Sequence, residues 1–587
     1  MLHHLKWMMF TLLASAAALH AQGPLTPPGA PAPVMKSLDQ LEPRTPITNL
    51  PFTITQSGSY YLTGNMDVTG DGLIIRADHV TVDLTGFRIA GNGTGRGILL
   101  DKPTLATIRN VVIRNGHIVN FQTGIRAQHT RGASLENLQV NGHALHGVEF
   151  FFGDGNVLKN SSISDNAQHG VYLYGFLGAC NHQRIEDCVI RGNGGDGVNG
   201  YGEFGQLRGN RIVDSLVFGN AGMGIRLNAP SGVCAHNEVV ASTVAENGAT
   251  GISLNGTAGQ CDGNRIHEVA LFKNSDHHIH LNGTAGNASG NSVTDSALSS
   301  ERWFVSAAHA IFLQGGGHGT IIARNALGRT GSHALYIAPG DDVSTGHAIR
   351  HNAIVRGEGV GGRGGLVVYA RGGQANGFEI AGNAMSNFEE SLIIRAQAEG
   401  RTGGHRIDGN VLTGIGNAAL FLGDGGDVTG SSFRENVIRG STGNGIALRA
   451  AGGGRVAGHT LARNAVSATS FGYGITLGEY GESGGFVRGN QILDNTVAGA
   501  STGIRLVKES TLDNQVKGNL AASNQVANIR VKDFAERNVV VHNMVYPGGD
   551  SFDVSTDNLY GPLATPSGEL GGGAQGHPWA NFAPVVD

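Results

Sequence analysis

Cysteine is scarce in this chain, four among 587 residues, which excludes a small scaffold stapled by disulfides. Proline is scarce too, 16 in all, and Pro24, Pro27, Pro28, Pro31, Pro33 and Pro43 crowd into residues 22–45, where they predict an extended linker. Charged residues make up only 15% of the chain, the formal net charge is -5, and no basic run occurs. That thin charge excludes a polybasic nucleic-acid surface and a membrane-binding patch. Long apolar runs are missing beyond the N-terminus, so no membrane span is expected in the mature chain. No His-Glu-x-x-His or phosphate-loop motif is present, and zincin and nucleotide chemistry are unsupported.

What the chain has is glycine, 94 residues of it, without the three-residue period of collagen. Glycine here punctuates a longer beat. Asn156, Gln183, Asn210, Asn237, Asn264 and Asn291 recur every 27 residues, each followed two positions on by Leu, Ile or Val. Val171, Val198, Ile225, Ile252 and Ile279 keep the same time. A segment recurring at a fixed period is one structural unit stacked on its neighbours. Apolar residues alternate over three or four positions and then break at Gly or Asn, the pattern of short strands, and no unit has room for a helix of about ten residues. Three strands per unit, each pairing with its equivalent one unit on, give an all-β chain: a single right-handed parallel β-helix. The small-apolar-x-apolar signature runs from Ile98 to Ile529 and marks about 17 coils.

The boundaries follow. Lys6, the apolar stretch Trp7–Leu19 and Ala21 read as a secretory signal over 1–21, placing the mature chain outside the cytoplasm. Residues 22–45 are the Pro-rich linker, 46–97 an N-terminal cap and first coil, 98–545 the β-helix, and 546–587 a C-terminal capping tail whose aromatics dock on the open edge. Asn166, Asn193, Asn220, Asn247 and Asn274 are expected at a turn, in left-handed backbone, forming an amide ladder between coils. Cys234 and Cys261 lie one period apart, within disulfide reach at the ~4.8 Å strand spacing. They also belong to an apolar column with Cys180, Leu207 and Ala288.

The pattern Gly209-Asn210-Arg211-Ile212 followed by Gly224-Ile225-Arg226-Leu227 resembles the right-handed parallel β-helix repeat of the pectate-lyase-like superfamily. The resemblance covers about residues 90–545. It implies the fold; the superfamily includes polysaccharide lyases, glycoside hydrolases, epimerases, tailspikes and non-catalytic surface proteins, so it implies no one activity.

In-phase residues form exterior stripes, and a site is sought across coils. On the third strand the outward residues include Arg126, Glu149, Tyr172, Asn199 and Arg226, and two positions on come Phe151, Tyr174 and Tyr201. Three successive exposed aromatics offer stacking surface for sugar rings. Glu149, Asn199 and Arg226 could bond hydroxyls or pair with uronate carboxylates. A second column, Asp187 and Asp214, would stand close enough to share Ca²⁺, although Arg184 and Arg211 three residues earlier suggest simple charge compensation. His277, His278 and His280 form a local cluster in which alternation would put His278 and His280 on one face, too few for a metal site. Gly317-His318-Gly319 resembles a polygalacturonase motif, but the Asn-Thr-Asp segment and the preceding Asp-Asp pair of that family are missing. The reading is thus a secreted protein whose partner is an extracellular polysaccharide, processed by lyase or glycoside hydrolase chemistry or held by a non-catalytic surface or adhesion module.

Overall fold

Alternation decides which side chains fill the interior. In Val171–Tyr174, Val171 and Leu173 are fully buried while Tyr172 and Tyr174 face outward, because successive strand residues point to opposite faces. A computed structural model describes residues 44–299, 308–328, 331–356, 364–468, 471–479, 484–546, 548–564 and 577–583. The signal segment 1–21 and nearly all of the linker 22–45 lie outside the described residues.

Every coil lays its strands parallel to those of the next. Val171–Tyr174 pairs with Val198–Tyr201, which pairs with Ile225–Asn228, then Ile252–Asn255. Like therefore stacks on like: Ile185, Ile212, Val239 and Ile266 form one interior column. Burying each such side chain contributes about 1.5–3 kcal/mol, and the repetition of that gain drives the winding. The result is an all-β right-handed parallel β-helix of about 17 turns.

The turns explain the periodic Asn residues. Asn210 donates from its side-chain amide to Asn237 Oδ1 over 3.1 Å, and the Asn210 backbone N–H donates to the same oxygen over 3.0 Å. Asn193 and Asn220 repeat the arrangement in the second ladder. The ladder residues are not themselves left-handed, as the sequence suggested. The residue before each takes that conformation: Gly192, Gly219 and Glu246 before one ladder, Gly209, His236 and Gly263 before the other. The displacement by one lets the Asn side chain point inward to the next coil while its neighbour makes the bend. At the entry to the third sheet the early coils carry glycine, because a Cβ there would crowd the next coil, whereas His278, Ala310 and Ala334 take the same place later. A Cβ on Gly197 would meet Gly224 O at 2.7 Å and Val217 Cγ1 at 2.5 Å.

Three features depart from the expected layout. Where the sequence placed a cap and one coil, two stacked strands precede residue 98: Phe52–Ile54 pairs with Leu73–Ile75, which pairs with Arg96–Leu100. Those early steps are shorter than 27 residues and so fell outside the beat. The later coils carry a fourth short strand, from Gly317–His318 through Val343–Thr345 to Thr511–Leu512. Stacking also continues past 545, where Asp550–Val554 adds to Ala527–Lys532. Asn581–Phe582 then pairs with Leu563–Ala564, and Asn581 Oδ1 accepts from Asn543, extending the ladder. Trp579 stacks on His542 with 5.9 Å between ring centroids. Residues 565–576, with the Gly571–Gly573 run, lie outside the described residues.

Cys180, Cys188, Cys234 and Cys261 are free and buried, so the Cys234–Cys261 disulfide that the spacing allowed is absent. The cysteines serve as small apolar column residues. Among the described residues no helix is long and apolar enough to cross a membrane.

Candidate functional site

The eight third-strand residues singled out from the sequence, Arg126 among them, converge on the outer face of the third sheet. Glu149, Tyr172, Asn199 and Arg226 are successive partners in register. So are Phe151, Tyr174 and Tyr201. Phe151 and Tyr174 stack with centroids 4.5 Å apart, and Tyr174 and Tyr201 are 6.3 Å apart. The Arg126 guanidinium sits 4.4 Å over the Phe151 ring, a cation–π contact that flattens the arginine against the face.

The face differs from the expected open stripe in two ways. Glu149 and Asn199 are buried, 6% and 7% exposed, and the three aromatics are half-buried. The cause is a flanking column just before the strands, which alternation alone did not reveal. His146 and His169 stack there with centroids 5.2 Å apart, and His146 lies 4.6 Å from Tyr172. The second cover comes from the turn after the strand. Phe176 stacks on Tyr201 at 6.0 Å and meets Phe204 edge-on at 6.4 Å. Phe152, Leu177 and Phe204 hold left-handed backbone, φ 54°, 55° and 54°, a conformation bulky residues rarely adopt. Leu177 and Phe204 are 69% and 58% exposed, so strained backbone here displays apolar side chains beside the face.

The electrostatics follow from this cover. Burial holds the Glu149 carboxyl above the usual carboxylate range, against the pull of Arg126, whose guanidinium is 3.6 Å away. Burial pushes His146 down to about 4 and raises the Tyr172 phenol. Asp196 spends both oxygens internally: Oδ1 accepts the Met223 N–H at 2.7 Å and Oδ2 the Asn199 amide at 2.6 Å. His169 Nδ1 accepts the Asp196 N–H at 2.9 Å, which leaves its Nε2 as the other ring nitrogen facing Asn199.

The same columns run on into coils that the sequence reading left out. His277, His309 and His333 stack successively at 5.1 Å and 5.5 Å, with Tyr336 4.6 Å from His309. Each Nδ1 accepts a backbone N–H from the next coil: His309 to His277, His333 to His309 and Gly364 to His333. His280 stacks on Phe312 at 4.9 Å. His278, expected to share a face with His280, is instead buried, because it precedes the strand Ile279–Gly283 and enters the core side of the turn. Continuing the third-strand columns across the long step at residue 300 was the signal that would have found this half.

Asp187 and Asp214 lie elsewhere, exposed at the corner between the first two sheets in left-handed backbone, φ 50° and 48°. Asp tolerates that conformation, which accounts for the column. Arg184 pairs with Glu186 and Arg211 with Glu238, so the arginines do not compensate these aspartates. No group of three or more His, Cys, Asp or Glu side chains that could hold a metal occurs among the described residues.

Fold and face together define a parallel β-helix with an aromatic, grooved third sheet. The sequence profile of the right handed beta helix region family matches residues 71–240 and 398–558, and the chain belongs to that family. Among solved structures, the tailspike of E. coli bacteriophage HK620 in complex with a pentasaccharide is similar at 11% identity. That match covers 68% of this chain and 72% of that one, with TM-score 0.44. The periplasmic alginate epimerase AlgG is similar at 14% identity, covering 68% of this chain and 78% of that one, TM-score 0.32. Geobacillus virus E2 ORF18 is similar at 15% identity and TM-score 0.33; the match covers 46% of this chain and 50% of the ORF18 chain. No curated protein sequence matches the chain.

Proposed function

We propose that this chain is secreted and binds an extracellular polysaccharide along the outer face of its third sheet, between Arg126 and Arg226. One observation carries the reading: Phe151, Tyr174, Phe176 and Tyr201 form an unbroken run of ring contacts across three coils. Such a run follows the coil axis, as a polymer laid along the face would. Sugar rings present apolar C–H faces to aromatic surfaces, and the half-buried tyrosine hydroxyls alongside supply the few polar groups that orient a ligand.

Processing of the polymer is read from Glu149. A carboxyl held above its usual range by burial is suited to give a proton to a leaving oxygen. The competing non-catalytic module is favoured by Asp196, whose two oxygens are already engaged and so make a poor second carboxylate. Incubation with uronate and neutral polysaccharides, watching reducing ends and unsaturated uronates, separates the two. Products that vanish in Glu149→Gln support turnover, and silence with retained binding identifies the module. Unchanged glycan affinity in a Tyr174→Ala, Tyr201→Ala double variant would reject the face altogether.

A further inference from the structure

The third-sheet face changes its floor partway along the helix. In the early coils the outward column is polar and aromatic: Arg126, Glu149, Tyr172, Asn199, Arg226. In the later coils the same column reads Tyr336, Val367, Ile393, Leu420, again in register. Val367, Ile393 and Leu420 point away from the core, which is filled by their neighbours Val368, Ile394 and Phe421. A solvated sheet face would carry polar residues at such positions. These three are apolar and only 5%, 7% and 6% exposed.

They form the floor of a cavity of about 550 Å³, within the range of small-molecule sites. Two long strands, Ala384–Gln397 and Val411–Asp424, build it by running unbroken from the second sheet into the third, with register shifts around Phe388. To one side of the floor the Asn417 amide donates to Glu390 Oε1 over 3.3 Å. To the other side Arg395 donates to Asp424 Oδ2 over 2.6 Å and lies 5.4 Å over the Tyr369 ring. Polar groups thus rim an apolar base.

We infer that this cavity is a subsite for a sugar carrying a methyl-ended substituent, an acetyl ester, an acetamido group or a 6-deoxy carbon. The methyl rests on Val367, Ile393 and Leu420, and the sugar hydroxyls bond Glu390, Arg395 and Asp424. This rests on the polysaccharide reading and extends it. The cavity lies on the same sheet face as the aromatic run, so one polymer laid along the coils reaches both.

The test compares matched glycans by calorimetry on the full chain: acetylated xylan against the same xylan after alkaline deacetylation, chito-oligosaccharides against chitosan oligosaccharides, and fucosylated against galactosylated oligosaccharides. The expected result is a preference for the methyl-bearing member of at least one pair. A methyl group against an apolar pocket is worth about 10- to 200-fold. The preference should shrink in Val367→Thr, which keeps the residue's shape, and disappear in Ile393→Ser. It should survive Tyr174→Ala, Tyr201→Ala, which weakens both members of a pair alike. Equal binding within every pair, or a preference untouched by Val367→Thr and Ile393→Ser, overturns the subsite while leaving the polysaccharide reading intact. Absence of binding to every glycan overturns both.

Discussion

His309 accepts the backbone N–H of His333 at Nδ1 over 3.2 Å and lies stacked between the rings of His277 and His333. An acceptor at Nδ1 requires the neutral ring to carry its proton on Nε2, so each imidazole in this column is locked in one tautomer. Protonating Nδ1 would break the link between coils.

That lock predicts an acid-sensitive fold. Outside that column His347, His405 and His459 are locked likewise, each Nδ1 accepting a backbone N–H, from Thr320, Phe378 and Ser431. Burial pushes His309 and His405 down to about 3, and His347 and His459 to about 4, from 6.5. Their folded pKa lies below the unfolded one, so the unfolded chain binds more protons in between. Stability is fully present above pH 6.5 and falls as pH drops toward 4, by about 1.4 kcal/mol per pH unit for each such group. Urea midpoints measured from pH 7.5 down to 5 should decline steadily; a flat profile would contradict the buried neutral imidazoles.

Removing one rung of the amide ladder should be costly. Asn436 Oδ1 accepts from the backbone and side-chain N–H of Asn410, and its amide reaches Ile407 O and Asn464 Oδ1. Asn436→Ala strands several buried groups, each costing about 1–3 kcal/mol. We expect a loss of about 3 kcal/mol or more by denaturant unfolding, against less than 1 kcal/mol for an exposed change such as Arg463→Ala.

The four thiols should be silent in the native protein. Cys180 and Cys188 are pushed up to about 12, chiefly by burial, and Cys261 is raised by a thiol hydrogen bond with Cys234 and by burial. A thiol reagent should label none in buffer and all four in denaturant, with melting unaffected by reductant. Labelling of only two in denaturant without reductant would restore the Cys234–Cys261 bridge.

Chelation tests the aspartate corner. Asp187 and Asp214 are exposed at left-handed positions, with no third acidic, His or Cys group assembled around them among the described residues. EDTA should leave the melting temperature unchanged. A fall reversed by Ca²⁺ and absent in Asp214→Asn would make the pair a metal site.

Winding, the approximate coil number and the interior columns of the evenly stepped coils were legible in the residues themselves, because a 27-residue period makes distant positions neighbours without any further assumption. Where the step varies, Ala419 and not Leu420 continues the interior column. Tyr174 and Tyr201 could be placed side by side from numbering alone. Their burial could not. It depends on His146, His169 and Phe176, which reach the face from outside the strand, and on where a turn sends a side chain once Leu177 and Phe204 take left-handed backbone. The later cavity was hidden for a related reason: strands of 14 residues that pass unbroken from one sheet into the next leave no local mark in a pattern read three residues at a time. Periodicity in the sequence determined which residues stack, since stacking needs only a constant step. The tertiary structure decided which of those stacks are covered, because cover comes from side chains and turns that belong to no column.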